Sequence, residues 1–257
     1  MNNSGILIQA RSFSERLPKK VYLPLTTKRN TTKSVIEWIY ERLSKTQIPT
    51  FVIIPKEDSE LKEYLQERRI PYEEGEHHNV RKRYIDIATR LGFFYIVRAT
   101  ADNPFVEPEL VIPTLRALID NQFDLFSFIG LPLGISIEAF TLNALKRRCP
   151  EYESEVYQEH VSLHIKKHPE IFRVHHENYK NFQQYYNENL MKLKDEERNW
   201  YQKHLPRLTL DQKEDYDVMK KIYSELEDDF SLYDVIDLYF KKKELFLGNM
   251  HVSQRRF

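Results

Sequence analysis

Cysteine and glycine are the scarce residues. Cys149 is the single cysteine among 257 residues, so no internal disulfide can form and a cysteine-rich zinc site is excluded. A reducing, cytoplasmic setting fits that usage. The 6 glycines argue against glycine-rich nucleotide loops, and neither the GxGxxG nor the P-loop pattern occurs. An excess of one charge is lacking too. Lys plus Arg and Asp plus Glu each total 39, leaving a formal net charge of zero. Nothing global therefore marks a nucleic-acid binder or a membrane-surface protein. No apolar run approaches the ~20 residues of a membrane span. A strand begins almost at once, so no signal peptide is expected. There is no nucleophile elbow, no Ser-His-Asp pattern, no internal repeat and no low-complexity segment.

What is present is a chain of 41% hydrophobic content, rich in Tyr (16) and Phe (15). That suffices for one large domain over 1–257 with a real core. The most informative stretch is the first. Gly5-Ile6-Leu7-Ile8-Gln9-Ala10 reads as a buried strand. It runs into a loop carrying Arg11, Arg16, Lys19 and Lys20, braced by Pro18. Cations at the carboxyl end of a strand suit an anion: Arg offers a planar fork and Lys a mobile point charge. That edge is where α/β proteins usually bind ligands. The plainer reading is a solvated basic loop.

Strand-like runs then alternate with helix-like ones. Helices are predicted over 32–44, 58–68 (capped by Asp58), 79–91 (capped by Asn79) and 108–121 (opened by Pro108). Strands are predicted over 51–54, 93–98 and 124–128, with a short piece at 70–72. This order implies an α/β fold: a mostly parallel sheet with helices on both faces. The second half is less regular. Strands are expected over 135–140, 171–177 and 207–210, and helices over 142–148, 154–167, 212–227 and 231–242. Residues 179–204 read as a polar and aromatic insertion, partly helical, and 248–257 as a tail.

Asp102 and Asp211 each stand just after an expected strand. Two carboxylates meeting at that edge suit one magnesium ion, which takes few carboxylates and leaves positions for phosphates. The alternative is that each caps the helix that follows. Glu138, in a mainly apolar strand, faces either solvent or a site. His160 and His164 are spaced by one helical turn, but no third zinc ligand accompanies them. His77-His78 and His175-His176 read as surface or turn residues.

In order along the chain, Ile8-Gln9-Ala10-Arg11, Ser14, Arg16-Leu17-Pro18 and Lys20 are followed by Leu23-Pro24 and by Val80-Arg81-Lys82-Arg83-Tyr84. Next come Arg98-Ala99-Thr100-Ala101-Asp102-Asn103-Pro104, Gly134 to Glu138, and Glu159-His160-Val161. The last is Leu205-Pro206-Arg207-Leu208-Thr209-Leu210-Asp211. The series resembles the cytidylyltransferase family, and within it the spore coat polysaccharide biosynthesis protein F-like branch. CMP-Kdo and CMP-sialic acid synthetases are more distant relatives. The resemblance implies a three-layer sandwich with a mostly parallel mixed sheet, the nucleotide-diphospho-sugar transferase (glycosyltransferase-A-like) fold. It implies attack of a sugar hydroxyl on the α-phosphate of CTP, giving a CMP-sugar and pyrophosphate. Arg11, Arg16 and Lys20 would hold the triphosphate, Ser14 would hydrogen-bond a phosphate, and Arg83 would lie on the nucleotide side. Asp102 and Asp211 would hold magnesium. Glu138, Glu159 and His160 would serve the sugar or sugar acid. A homodimer is expected. The chain departs from the family pattern at Phe13, Glu15, Lys19, Ala101, Ser136 and Asn79. A different donor or glycosyl transfer on the same fold, and an inactive relative acting as an assembly subunit, therefore stay open.

Overall fold

A computed structural model describes residues 2–253. The first half runs β1 Ser4–Gln9, β2 Pro24–Thr26, β3 Thr32–Ser34, α1 Val35–Ser44, β4 Thr50–Pro55, α2 Ser59–Glu67, β5 Tyr72–Gly75, α3 Val80–Leu91, β6 Tyr95–Thr100 and α4 Val111–Asp120. The second half runs β7 Leu125–Ile129, β8 Glu138–Thr141, α5 Leu142–Lys146, α6 Glu155–Glu159, α7 Leu163–Lys167, β9 Val174–Asn178, α8 Lys180–Leu190, α9 Asp195–Lys203, α10 Lys213–Tyr223 and α11 Leu232–Lys241. Short 3-10 turns occupy Lys20–Tyr22, Pro108–Leu110 and Lys243–Asn249.

A 7-stranded sheet in the order β5-β4-β1-β6-β8-β7-β9 crosses the molecule. Only β8 runs against its neighbours; the remaining pairings are parallel. Side chains of β1 alternate between two cores. Ile6 and Ile8 join the larger one, with α1, α2, α4, α10 and α11, while Leu7 joins the smaller one under α3, α5 and α7. A strand buried on both faces is why β1 reads as an unbroken apolar run. The expected layers are therefore present.

Caps fix the helix entries. Ser34 and Glu37 form a capping box at α1, Asp58 accepts from Leu61 N at α2, and Asn79 accepts from Lys82 N at α3. Each satisfies one of the free amides of the first turn.

Several boundaries differ from expectation. Residues 32–34 pair with β2 as a hairpin instead of opening α1. The helix expected over 154–167 is broken, because His160 takes φ −96° and ψ 77° after α6. His160 and His164 therefore do not share a helix. Residues 207–210, expected as a strand, make an isolated bridge, Leu133 to Arg207, and no strand. The 179–204 segment folds as α8 and α9, and Phe182, Tyr186, Leu190 and Tyr201 enter the large core. Phe182, Tyr186 and Tyr201 are thus used in packing. Residues 248 and 249 belong to the last 3-10 turn, with Asn249 fully buried; residues 254–257 of the expected tail lie outside the described residues.

Candidate active site

The carboxyl ends of β1 and β6 open onto a cleft of about 470 Å³. Arg11, Ser14, Arg16, Lys20, Arg83, Asp102, Glu159 and Asp211 all line it, joined by Arg98 and His77, which no sequence pattern marks as site residues. At its centre Lys20 Nζ lies 3.2 Å from Asp102 Oδ2 and 3.4 Å from Asp211 Oδ1, and donates to Leu210 O at 2.8 Å. Two carboxylates from distant parts of the chain thus converge on one cation position, held by an ammonium. Arg16 Nη2 adds a contact to Asp211 Oδ1 at 3.2 Å.

Neither aspartate is spent on capping. Glu107 caps the turn after Asp102, accepting from Glu109 N. The first turn of α10 is capped through Asp215, which accepts from Gln212 N at 2.9 Å. Asp102 Oδ1 instead accepts from Thr100 Oγ1 at 2.6 Å, and Asn103 Nδ2 donates to that hydroxyl at 2.9 Å. Burial opposes ionisation of Asp102, but Lys20 and the Thr100 hydrogen bond outweigh it, so its carboxyl sits below the usual aspartate range.

Asp211 reaches Asp102 through backbone contacts. Leu210 N donates to Asp102 O at 2.7 Å, and Leu208 N to Leu133 O at 2.8 Å. The approach requires glycine at 134. Its φ is +97°, and a Cβ there would lie 2.3 Å from Leu208 O.

The basic loop is tethered at its start. Ser12 N and Oγ both donate to the buried Asp58 carboxylate at 2.7 Å. One residue thus caps α2 and anchors the loop. Lys19 takes φ 58°, a left-handed conformation that favours glycine, and pairs with Glu60 at 2.8 Å. Ala101 is buried in the cleft wall without a positive φ. Arg11 is exposed at the mouth and makes no ion pair among the described residues. Arg83 is committed to the wall, donating from Nε to Glu76 O at 2.7 Å and from Nη2 to His77 O at 2.9 Å. Phe13 projects away, 64% exposed.

On the far side, Glu138 does not line the cleft. It pairs with Arg98, its cross-strand neighbour, at 3.0 Å. Lys166 Nζ lies 2.5 Å from its Oε2, and Ser162 Oγ donates at 2.6 Å to Oε1, the oxygen that Arg98 also contacts. Burial would raise this carboxyl; Lys166 and then Arg98 overcome it and hold it at about 2. Arg98 presents its guanidinium to the cleft, with Nη2 donating to Gln9 Oε1 at 3.3 Å and Nε buried without a partner. Glu159 reaches the cleft wall; His160 does not line it. His164 is fully buried and its Nε2 lies 3.2 Å from Ala144 O, so it is a core residue.

Among the described residues no group of three or more His, Cys, Asp or Glu could hold a metal ion. The Asp102–Asp211 pair suits only an ion that takes its other ligands from water and substrate, as magnesium does. The ammonium at their convergence shows that the pair accommodates a cation. No helix among the described residues is long and apolar enough to cross a membrane.

The chain is similar to an uncharacterised protein of Methanocaldococcus jannaschii, 30% identical over 260 residues, 98% of this chain and 96% of that one. It is also similar to the spore coat polysaccharide biosynthesis protein SpsF of Bacillus subtilis, 30% identical over 233 residues, 87% of each. A solved cytidylyltransferase from Leptospira borgpetersenii shares the fold, with a TM-score of 0.76 at 24% identity over 99% of both chains. The expected nucleotide-diphospho-sugar transferase architecture is therefore present. Residues 5–234 match the cytidylyltransferase family, and the chain belongs to it.

Proposed function

We propose that the protein is a CMP-sugar synthetase, joining CTP to a sugar or sugar acid of surface polysaccharide. The observation that carries this reading is the convergence of Asp102 and Asp211 on the Lys20 ammonium, at 3.2 and 3.4 Å, beside a basic loop. The polysaccharide role of the Bacillus subtilis relative supports the acceptor class.

In this reading an acceptor hydroxyl attacks the α-phosphorus of CTP, the bond to the β-phosphate oxygen breaks, and pyrophosphate leaves. Such transfers depend on positioning and charge neutralisation. Asp102 and Asp211 would hold magnesium, which when bound supplies positive charge to the reacting phosphate. Arg11, without an ion-pair partner among the described residues, receives the triphosphate at the mouth. Arg16 and Lys20 exchange their carboxylate contacts for phosphate oxygens as the nucleotide arrives. Ser14 donates to a phosphate. Arg83 shapes the nucleotide side by clamping the 76–77 backbone. On the acceptor side Glu159 faces the cleft directly, Glu138 orients Arg98, and His160 stands beside Glu159. Arg98 and Lys166 balance the charges of Glu138 and Glu159, and of these four only Arg98 and Glu159 line the cleft.

The altered loop does not argue for a dead site. Lys19 keeps the left-handed turn that glycine would supply, and Ala101 needs no strained backbone. The test is thermal shift with CTP, UTP, GTP and ATP, with and without magnesium, followed by pyrophosphate release with candidate sugar acids. A shift specific to CTP with magnesium supports the reading. Another nucleotide would move the donor assignment, and no shift with any of them would sink it.

A further inference from the structure

The carboxylate of Asp215 is fully buried, which is costly unless its oxygens are paired. Capping explains part of its pairing: Asp211 N and Gln212 N both donate to Oδ2 at 2.9 Å. It does not explain the rest. Arg207 Nε donates to Oδ1 at 2.9 Å, and Arg207 Nη2 lies 3.3 Å from both Asp215 Oδ2 and Asp211 Oδ2. The guanidinium thus links a buried carboxylate to the cleft carboxylate. From the last 3-10 turn, Asn249 Nδ2 donates to Asp215 Oδ1 at 2.9 Å and to Arg207 O at 3.1 Å. Asn249 is fully buried, and its Oδ1 has no partner. An amide retained in a core with half its capacity unmet costs stability, so a role beyond packing is called for.

We propose that Arg207, Asp215 and Asn249 are positioning residues that aim the Asp211 carboxylate, making the carboxyl-terminal turn a working part of the active site. The proposal rests on the magnesium-dependent reading above. Without Asn249, the Arg207 backbone and the Asp215 carboxylate each lose one restraint. The Arg207 fork can then swing, and Asp211 loses the contact on the oxygen that does not face Lys20. Residues that orient a metal ligand typically change metal affinity or activity ~10–100-fold when removed.

The experiment uses the full chain and Mn2+ as a magnesium probe. Mn2+ binding in the presence of CTP is followed by electron paramagnetic resonance, and pyrophosphate release is titrated with magnesium. The variants are Asn249→Ala, Arg207→Lys and a stability control, Phe246→Leu, which trims the same turn's core side chain. The expected result is ~10-fold weaker Mn2+ binding and a matching rise in magnesium requirement for the first two. Phe246→Leu should lower Tm and leave the metal requirement unchanged. Should Asn249→Ala fail to fold, Arg207→Lys carries the same expectation, since it keeps the charge and removes only the fork. Unchanged metal binding in the folded variants overturns the proposal, as does an equal loss in the Phe246→Leu control. If the unaltered protein binds no Mn2+ with CTP, the metal-site reading itself fails and takes this one with it.

Discussion

Replacing Lys20 by Met removes the ammonium and leaves a side chain of similar length. In the native cleft that ammonium touches both carboxylates, and the three side chains are only 14%, 29% and 18% exposed for Lys20, Asp102 and Asp211. Two charges ~4 Å apart interact by about 4 kcal/mol at an effective dielectric of ~20, and desolvating the ammonium cancels much of it. Stranding one member of a fully buried pair costs ~3–5 kcal/mol. Here Arg16 and Arg207 still serve Asp211, so the stranded charge is mainly that of Asp102. A loss of ~2–3 kcal/mol is expected, or ~5–10 °C in Tm for a chain of this size. Magnesium supplies the distinguishing measurement. In the native protein a free metal ion must compete with the ammonium for the same oxygens, so magnesium alone should move Tm by ~1 °C or less. In Lys20→Met it should recover at least half of the lost Tm. Turnover should still fall ~10²–10³-fold, because in the proposed mechanism the cation also serves the phosphates. Differential scanning calorimetry with and without excess magnesium reads all but the last. A Tm that rises on substitution, or a magnesium effect equal in both proteins, would refute the view that Lys20 holds the metal position.

Four other outcomes follow from the geometry. Asp102→Asn and Asp211→Asn should each abolish pyrophosphate release; retained turnover in both would remove the metal site from the mechanism. Gly134→Ala should cost ~2–4 kcal/mol, combining a strained φ with a Cβ against the Leu208 backbone. Its refolded product should lose activity as well, because residues 208–211 are pushed off Asp102. Asp58→Ala frees Ser12 and the start of the basic loop; Tm should drop by the equivalent of ~1–3 kcal/mol, and the KM for nucleotide should rise more than kcat falls. His164 is held neutral by burial, opposed by the Ala144 carbonyl and helped by Arg81, and its pKa falls from 6.5 to about 4. Its contribution is therefore full above pH 6.5 and lost as pH falls toward 4, by about 3 kcal/mol. The unfolding free energy from urea titrations should fall as pH drops through that window for the native chain, and fall less for His164→Gln.

The first half of the fold was legible because its signals are local. Helix caps at Asp58 and Asn79, and apolar runs at β1, β4 and β6, are written in a few consecutive residues. The spacing over 154–167 fits one helix, whereas the backbone turns at His160 and Ser162, two residues on, donates to Glu138. The β2–β3 hairpin is too short for periodicity to register. The candidate site divides in the same way. Asp102 and Asp211 could be picked out as residues at strand ends, yet their partners depend on register and long-range contact. Arg98 meets Glu138 only because β8 runs antiparallel beside β6. Asp215 did leave a local sign, since Gln212 and Asp215 have capping-box spacing, but a capping aspartate in solvent and one buried against Arg207 share that spacing. What linear pattern could not contain is the order in which cations are shared. Lys20 and Arg16 read as phosphate ligands, and in the folded chain both rest on carboxylates. The same charges that would bind the nucleotide stabilise the empty-handed fold, so the nucleotide must outbid two internal partners before it is gripped. A site wired this way should respond to CTP and magnesium together far more than to either alone.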